Sequence, residues 1–273
     1  MRNYTYKPEK FFALTILLTW ALWFTAAYLS YHTGMESFQI LLMLLGLILP
    51  LVIGLFMIFG SGSRDLKKDF LNRFQLQRIN LRYTPVIFLL MPASILLAIA
   101  VSLLFGMSPA QFKLADQFNI MSGQVLLSLL IPILAPTFEE IGWRGYGVDS
   151  LSKRFTLQKA SLVFALLWAL WHVPLFFINN YYQNGLWKMG IPYVINFFLS
   201  ILPLAIILNW LYYKNNRSIL AAILFHIITV LSAEAFMIED SAKFIQTAIL
   251  LIVAIGIVIY DKALFAAYSS IES

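Results

Sequence analysis

Pro136-Thr137-Phe138-Glu139-Glu140-Ile141-Gly142-Trp143-Arg144-Gly145 sets two adjacent carboxylates and an arginine at the end of a long apolar run. An ionisable side chain at membrane depth costs on the order of 3 kcal/mol or more, so it faces a packed interior or a wet cavity and marks a candidate site. The run belongs to a chain of 273 residues that is 61% hydrophobic and 12% charged, with a mean hydropathy of +0.81, far from a soluble balance. Its apolar stretches are about 20 residues long and do not alternate, which selects helices over a barrel. The expected fold is therefore all-α: a polytopic membrane protein, a bundle of about eight transmembrane helices forming a single membrane domain over residues 1–273.

Eight spans are expected at 11–30, 38–60, 84–105, 123–147, 160–178, 191–213, 218–237 and 245–260, the last with room to run on to Tyr268. With the N-terminus in the cytoplasm, the inner loops and ends collect Arg2, Lys7, Lys10, Arg64, Lys67, Lys68, Arg73, Arg78, Arg82, Arg144, Lys153, Arg154, Lys159, Lys214, Arg217 and Lys262. Only Lys113, Lys188 and Lys243 fall outside. This bias predicts both termini to be cytoplasmic, and it accounts for the net charge of +6 without nucleic acid as a partner. The first span is too long for a signal peptide and no small-residue cleavage site follows it. The connection Ser61–Tyr83 carries six basic residues with Leu71, Phe74 and Leu76 between them. It reads either as a plain basic loop or as a short amphipathic helix on anionic lipid at the inner face.

The chain has no cysteine, which excludes disulfides, thiolate metal sites and a thiol nucleophile. All six Asp fall in loops or at span ends, against a paired-Asp protease, and no His-Glu-x-x-His is present. Two of the three histidines, His172 and His226, lie inside spans. At 1.5 Å per residue, Glu139 sits roughly 13 Å from the inner end of its span, His226 about 12 Å and His172 about 18 Å, one cytoplasm-facing layer. Glu139 and Glu140 are about 100° apart on their helix and cannot share a direction. Glu140 and Arg144 are four apart with the acid first, the favoured order for an ion pair, so they read as scaffold. Glu139 is then free to meet the histidines across the bundle. Pro132 and Pro136 predict a kink or an opened carbonyl beside it.

These residues carry a resemblance. Glu139-Glu140-Ile141-Gly142-Trp143-Arg144 resembles the Glu-Glu-x-x-x-Arg signature of the CAAX-protease and bacteriocin-processing family of intramembrane endopeptidases. Trp168-Ala169-Leu170-Trp171-His172 resembles its Phe-x-x-x-His, and His226 fits the histidine opening the third signature, within a protease core over about 123–237. Trp168 stands where the family has Phe, and Val230 stands where it has the Asn of His-x-x-x-Asn. Thr229 and Asn209 are the polar residues available in its stead. The resemblance implies Glu139 as general base on a water, His172 as its hydrogen-bonding or metal-binding partner, and His226 as stabiliser of the oxyanion. A membrane-embedded peptide or protein is the implied substrate, cut in a cytoplasm-facing cavity of a bacterial cell membrane protein. Two alternatives stay open. The site works with no obligatory cofactor, or Glu139, His172 and His226 bind a divalent metal such as zinc. The chain is an enzyme, or an impaired member serving as a bacteriocin immunity protein or as regulatory partner of another membrane protein.

Overall fold

The computed structural model describes residues 4–118 and 125–267. Prolines at the first turn, where no backbone donor is missed, open several helices. These include α1 (Pro8–Leu29), α3 (Leu49–Phe59), which follows α2 (Glu36–Leu47) with scarcely a break, and α5 (Thr84–Ser102). Between α3 and α5 lies α4 (Arg64–Asn72), capped by the Ser63 hydroxyl, which accepts from the Leu66 amide at 3.2 Å. Then come α6 (Val125–Gly142), α7 (Val148–Ser152), α8 (Leu157–Trp171), α9 (Tyr182–Met189), α10 (Ile191–Lys214), α11 (Ile219–Ala235), α12 (Ala242–Tyr260) and α13 (Lys262–Ala266). Among the described residues the only β pairing is one bridge, Leu114 to Phe236.

Among the described residues six helical stretches are long and apolar enough to cross a membrane, beginning with Pro8–Leu29 and ending with Ala242–Tyr260; Ile219–Ala235 is a shorter apolar helix beside them. The protein is thus a polytopic helical membrane protein. Helices occupy all eight expected positions, with some boundaries changed. Residues 123–124 of the fourth expected span lie outside the described residues. Its helix ends at Gly142 rather than 147, the fifth ends at Trp171 before a tight turn over Val173–Phe177, and the last breaks at Asp261, with Tyr268 outside the described residues. On α4 the apolar side chains Leu66 and Phe70 are buried in the protein core, so that face is turned inward rather than onto lipid; Leu71 and Leu76 remain exposed.

Two features fix the α6 end of the bundle. First, Gly142 packs backbone to backbone against α3, where Gly54 faces its Cα; a Cβ on Gly142 would run into the Pro50 carbonyl. Second, α6 continues as a helix through Pro132 and Pro136, neither of which has an N–H for the carbonyl four residues back, and beyond Gly142 the helix widens. Trp143–Gly147 form a widened, π-helical turn. Buried Arg73 takes up two of its carbonyls, donating from Nη1 to Arg144 O and from Nη2 to Gly145 O, both at 2.9 Å. Arg73 Nη1 also lies 2.6 Å from Asp149 Oδ2, and Arg217 bonds to both Asp69 and Asp149. The hydroxyls of Tyr212 and Tyr213 complete the shell of Asp149 at 3.0 and 3.1 Å.

Burial alone would raise the Asp149 pKa, but the Arg217 and Arg73 guanidiniums hold it below the ordinary carboxylate value. A depressed folded-state pKa contributes stability above the unfolded value, about 3.9, that is lost as pH falls through the folded one. Thermal unfolding from pH 7 to pH 3 is expected to show the wild type losing stability at the acid end. Asp149→Asn should start about 3 kcal/mol less stable at neutral pH, since it breaks a buried pair, and depend less on acid. Equal slopes for the two would refute this. Gly142→Ala is expected to lower the melting temperature, whereas Gly256→Ala, where an added Cβ meets nothing within 4 Å, should not; parallel melts of the two variants check the close approach of α3 and α6.

Candidate active site

Glu140 leaves α6 towards the interior, where both it and Arg144 are fully buried. The pair forms as the four-residue spacing predicts: Arg144 Nη1 lies 2.8 Å from each carboxylate oxygen. Arg144 Nη2 donates to Asn209 Oδ1 at 3.0 Å, and the Asn209 amide donates in turn to Ser161 Oγ at 3.0 Å. The guanidinium stands over the ring of Phe164, 4.7 Å from its centroid. The same carboxylate also holds a histidine, because His226 Nδ1 is 2.9 Å from Glu140 Oε1. The sequence reading assigned both histidines to Glu139. A helical wheel gives the angle between Glu139 and Glu140 but not the side on which α11 packs, so the pairing was out of its reach.

Glu139 is buried, 7% exposed, and is not unpaired along its own helix as the charge pattern suggested. Its Oε2 accepts from Trp143 Nε1 at 3.3 Å, one turn on, and from Trp168 Nε1 on α8 at 3.0 Å. An indole N–H is a donor that a count of charges overlooks. His172 caps the end of α8, and its Nδ1 is 2.7 Å from the Trp168 carbonyl. A carbonyl only accepts, so Nδ1 carries the hydrogen and a neutral His172 presents its lone pair at Nε2. The imidazole of His226 meets the Trp168 ring edge-on, centroids 5.4 Å apart, and that of His172 lies 6.0 Å from it. Glu139, His172 and His226, drawn from three helices, therefore gather around Trp168.

A cavity of about 540 Å³ opens beside them. Its inner wall carries Trp168, His172, His226, Thr229 and Val230, and its rim carries Tyr182, Asp240 and Lys243. Glu139 does not line it, but Trp168, to which its carboxylate is bonded, does. At position 230 the wall is apolar. Thr229 lines the cavity with its hydroxyl committed to the Phe225 carbonyl at 2.9 Å. Asn209 lies outside the lining, held by Arg144 and Ser161, and belongs to the scaffold beneath it.

The lining uses the first halves of α10 and α12 and the second half of α11. The mouth thus lies at the end of the bundle away from Arg73 and Arg217 and from both described chain ends. On the basic side the space beneath the cavity is filled by Glu140, Arg144, Asn209 and the Arg73 cluster, which together form its floor. As for a metal, no three His, Asp or Glu side chains among the described residues gather as a ligand set. His172 Nδ1 is engaged by a carbonyl and His226 Nδ1 by a carboxylate, which leaves Nε2 as the free nitrogen of each ring, and the chemistry below is derived from these side chains alone.

The sequence model of the Type II CAAX prenyl endopeptidase Rce1-like family matches residues 121–232, the stretch that contains Glu139, His172 and His226. A curated relative, CAAX prenyl protease 2 of Methanococcus maripaludis, is 46% identical over 264 residues, covering 96% of this chain and 97% of that protein. The agreement runs through all the helices that build the cavity and its floor, and the chain accordingly belongs to the Rce1-like type II CAAX prenyl endopeptidases, a family of intramembrane proteases.

Proposed function

We propose that this chain hydrolyses a peptide bond near the C-terminus of a prenylated, CAAX-type protein held in the membrane, with a water activated by Glu139. The observation that carries the reading is the gathering of Glu139, His172 and His226 around Trp168 beside a cavity whose walls include Phe197, Ile201, Leu204 and Leu250, apolar enough for an isoprenoid chain. Glu139 takes a proton from water as the oxygen bonds to the scissile carbonyl carbon, and His172 Nε2 accepts a hydrogen bond from the O–H that the oxygen keeps. Charge gathers on the carbonyl oxygen. His226, with Nδ1 on Glu140, donates from Nε2 when its ring is protonated, and Glu140 stabilises that imidazolium. The carbon–nitrogen bond then breaks and Glu139 returns its proton to the departing amine.

With purified protein and a farnesylated, internally quenched CAAX peptide, Glu139→Gln is expected to lower kcat about 10²–10⁴-fold at equal folded abundance, and His172→Ala and His226→Ala to fall in the same range. Wild-type rates in Glu139→Gln would sink the assignment. Protein purified without chelator should contain substoichiometric zinc; one zinc per chain, lost in His172→Ala, would replace this mechanism with a metal-dependent one. The reading of an impaired immunity or regulatory protein rests on Val230 alone. Val230→Asn supplies a donor and is expected to raise a measurable wild-type rate; a silent wild type rescued by Val230→Asn would favour the impaired reading.

The absence of cysteine makes the placement of the mouth directly testable. Single cysteines at Lys68, on the basic end, and at Lys188, on the mouth end, should react with a membrane-impermeant maleimide from opposite sides of the bilayer. The side that labels Lys188→Cys is the side from which substrate is delivered. Labelling of both from one side would refute the arrangement.

A further inference from the structure

Trp168 is buried, 2% exposed, and touches every member of the site: its N–H meets Glu139, its carbonyl meets His172 and its ring meets His226. A phenylalanine here would provide the ring and the carbonyl but no N–H. The hydrogen bond to Glu139 therefore belongs to the indole alone. It does not act alone, since Trp143 directs a second N–H to the same oxygen. Two neutral donors converging on Oε2 restrain the rotation of the carboxylate and leave Oε1 as the oxygen open to a water. In a low-dielectric interior such fixed donors are stronger than in water and need no reorganisation during the reaction.

We propose that Trp168, with Trp143 in a secondary part, is a positioning residue that orients the Glu139 carboxylate so that Oε1 addresses the attacking water. The inference rests on Glu139 being the base. It assigns the indole N–H, rather than the aromatic surface, as the contributing group. Packing and positioning are separable because Trp168→Phe keeps a ring among Phe164, His172 and His226 while deleting only the donor.

The test compares wild type, Trp168→Phe, Trp143→Phe and Glu139→Gln on the farnesylated peptide, with melting curves and infrared spectra of protein carrying ¹³C-labelled glutamate. The Glu139 carboxylate band is the one missing in Glu139→Gln. Loss of a hydrogen bond to a charged group should lower kcat about tenfold in Trp168→Phe with KM held within about twofold, and less in Trp143→Phe, whose contact is longer. The Glu139 band should move in Trp168→Phe. A wild-type kcat and an unmoved band in Trp168→Phe, beside an inactive Glu139→Gln, overturn the positioning role alone. A loss of kcat that follows the loss of folded protein, again with an unmoved band, also overturns it by reducing Trp168 to packing. Full activity in Glu139→Gln overturns the assignment of the base and this inference with it.

Discussion

The carboxylate of Glu140 is the constraint around which the molecule closes. It is fully buried, and it holds a guanidinium on its own helix and an imidazole on α11. A buried charge left without its partner costs about 3–5 kcal/mol, so α6 and α11 cannot drift apart without stranding it. Arg144 extends the same tie to α10 through Asn209 and on to α8 through Ser161. The helices α6, α8, α10 and α11 are thereby registered to one another by polar contacts, which matters in a membrane because lipid tails offer helices little hydrophobic incentive to associate.

Below that tie, the backbone is opened and immediately satisfied. The widened turn at Trp143–Gly147 would leave carbonyls without partners, and Arg73, arriving from the basic connection after α4, takes two of them. A residue that served as one of many positive charges in a topology count is thus a structural ligand with no exposed surface. Arg73 cannot be told from Lys67 or Lys68 by sequence, because the count of charges contains no burial.

Much of the architecture was legible. The all-helical class and the positions of the long apolar helices follow from apolar length, and the Glu140–Arg144 pair follows from helical spacing. Glu139, His172 and His226 were brought together by a depth argument that needs only 1.5 Å per residue. That argument fixes height and says nothing of azimuth, so the partner of His226 was out of reach. Nor does it say which end of the layer is hollow. The floor beneath the site is built from side chains of four separate segments, and their closure is a tertiary fact. The indole donors on Glu139 escaped notice for a simpler reason: tryptophan is read as apolar surface, and one N–H at the end of a large ring is invisible to hydropathy.

The separation of the cavity mouth from the basic floor has one more consequence. Two charged assemblies in this chain lie at opposite ends of the bundle. The Asp69–Asp149–Arg73–Arg217 cluster closes one end, with Asp149 and Arg73 wholly buried, while Asp240, Lys243 and Tyr182 stand at the cavity rim at the other. The charges that a substrate meets on entry are thus not the charges that hold the helices together. A change of residue at the entrance can then retune what is admitted without loosening the bundle.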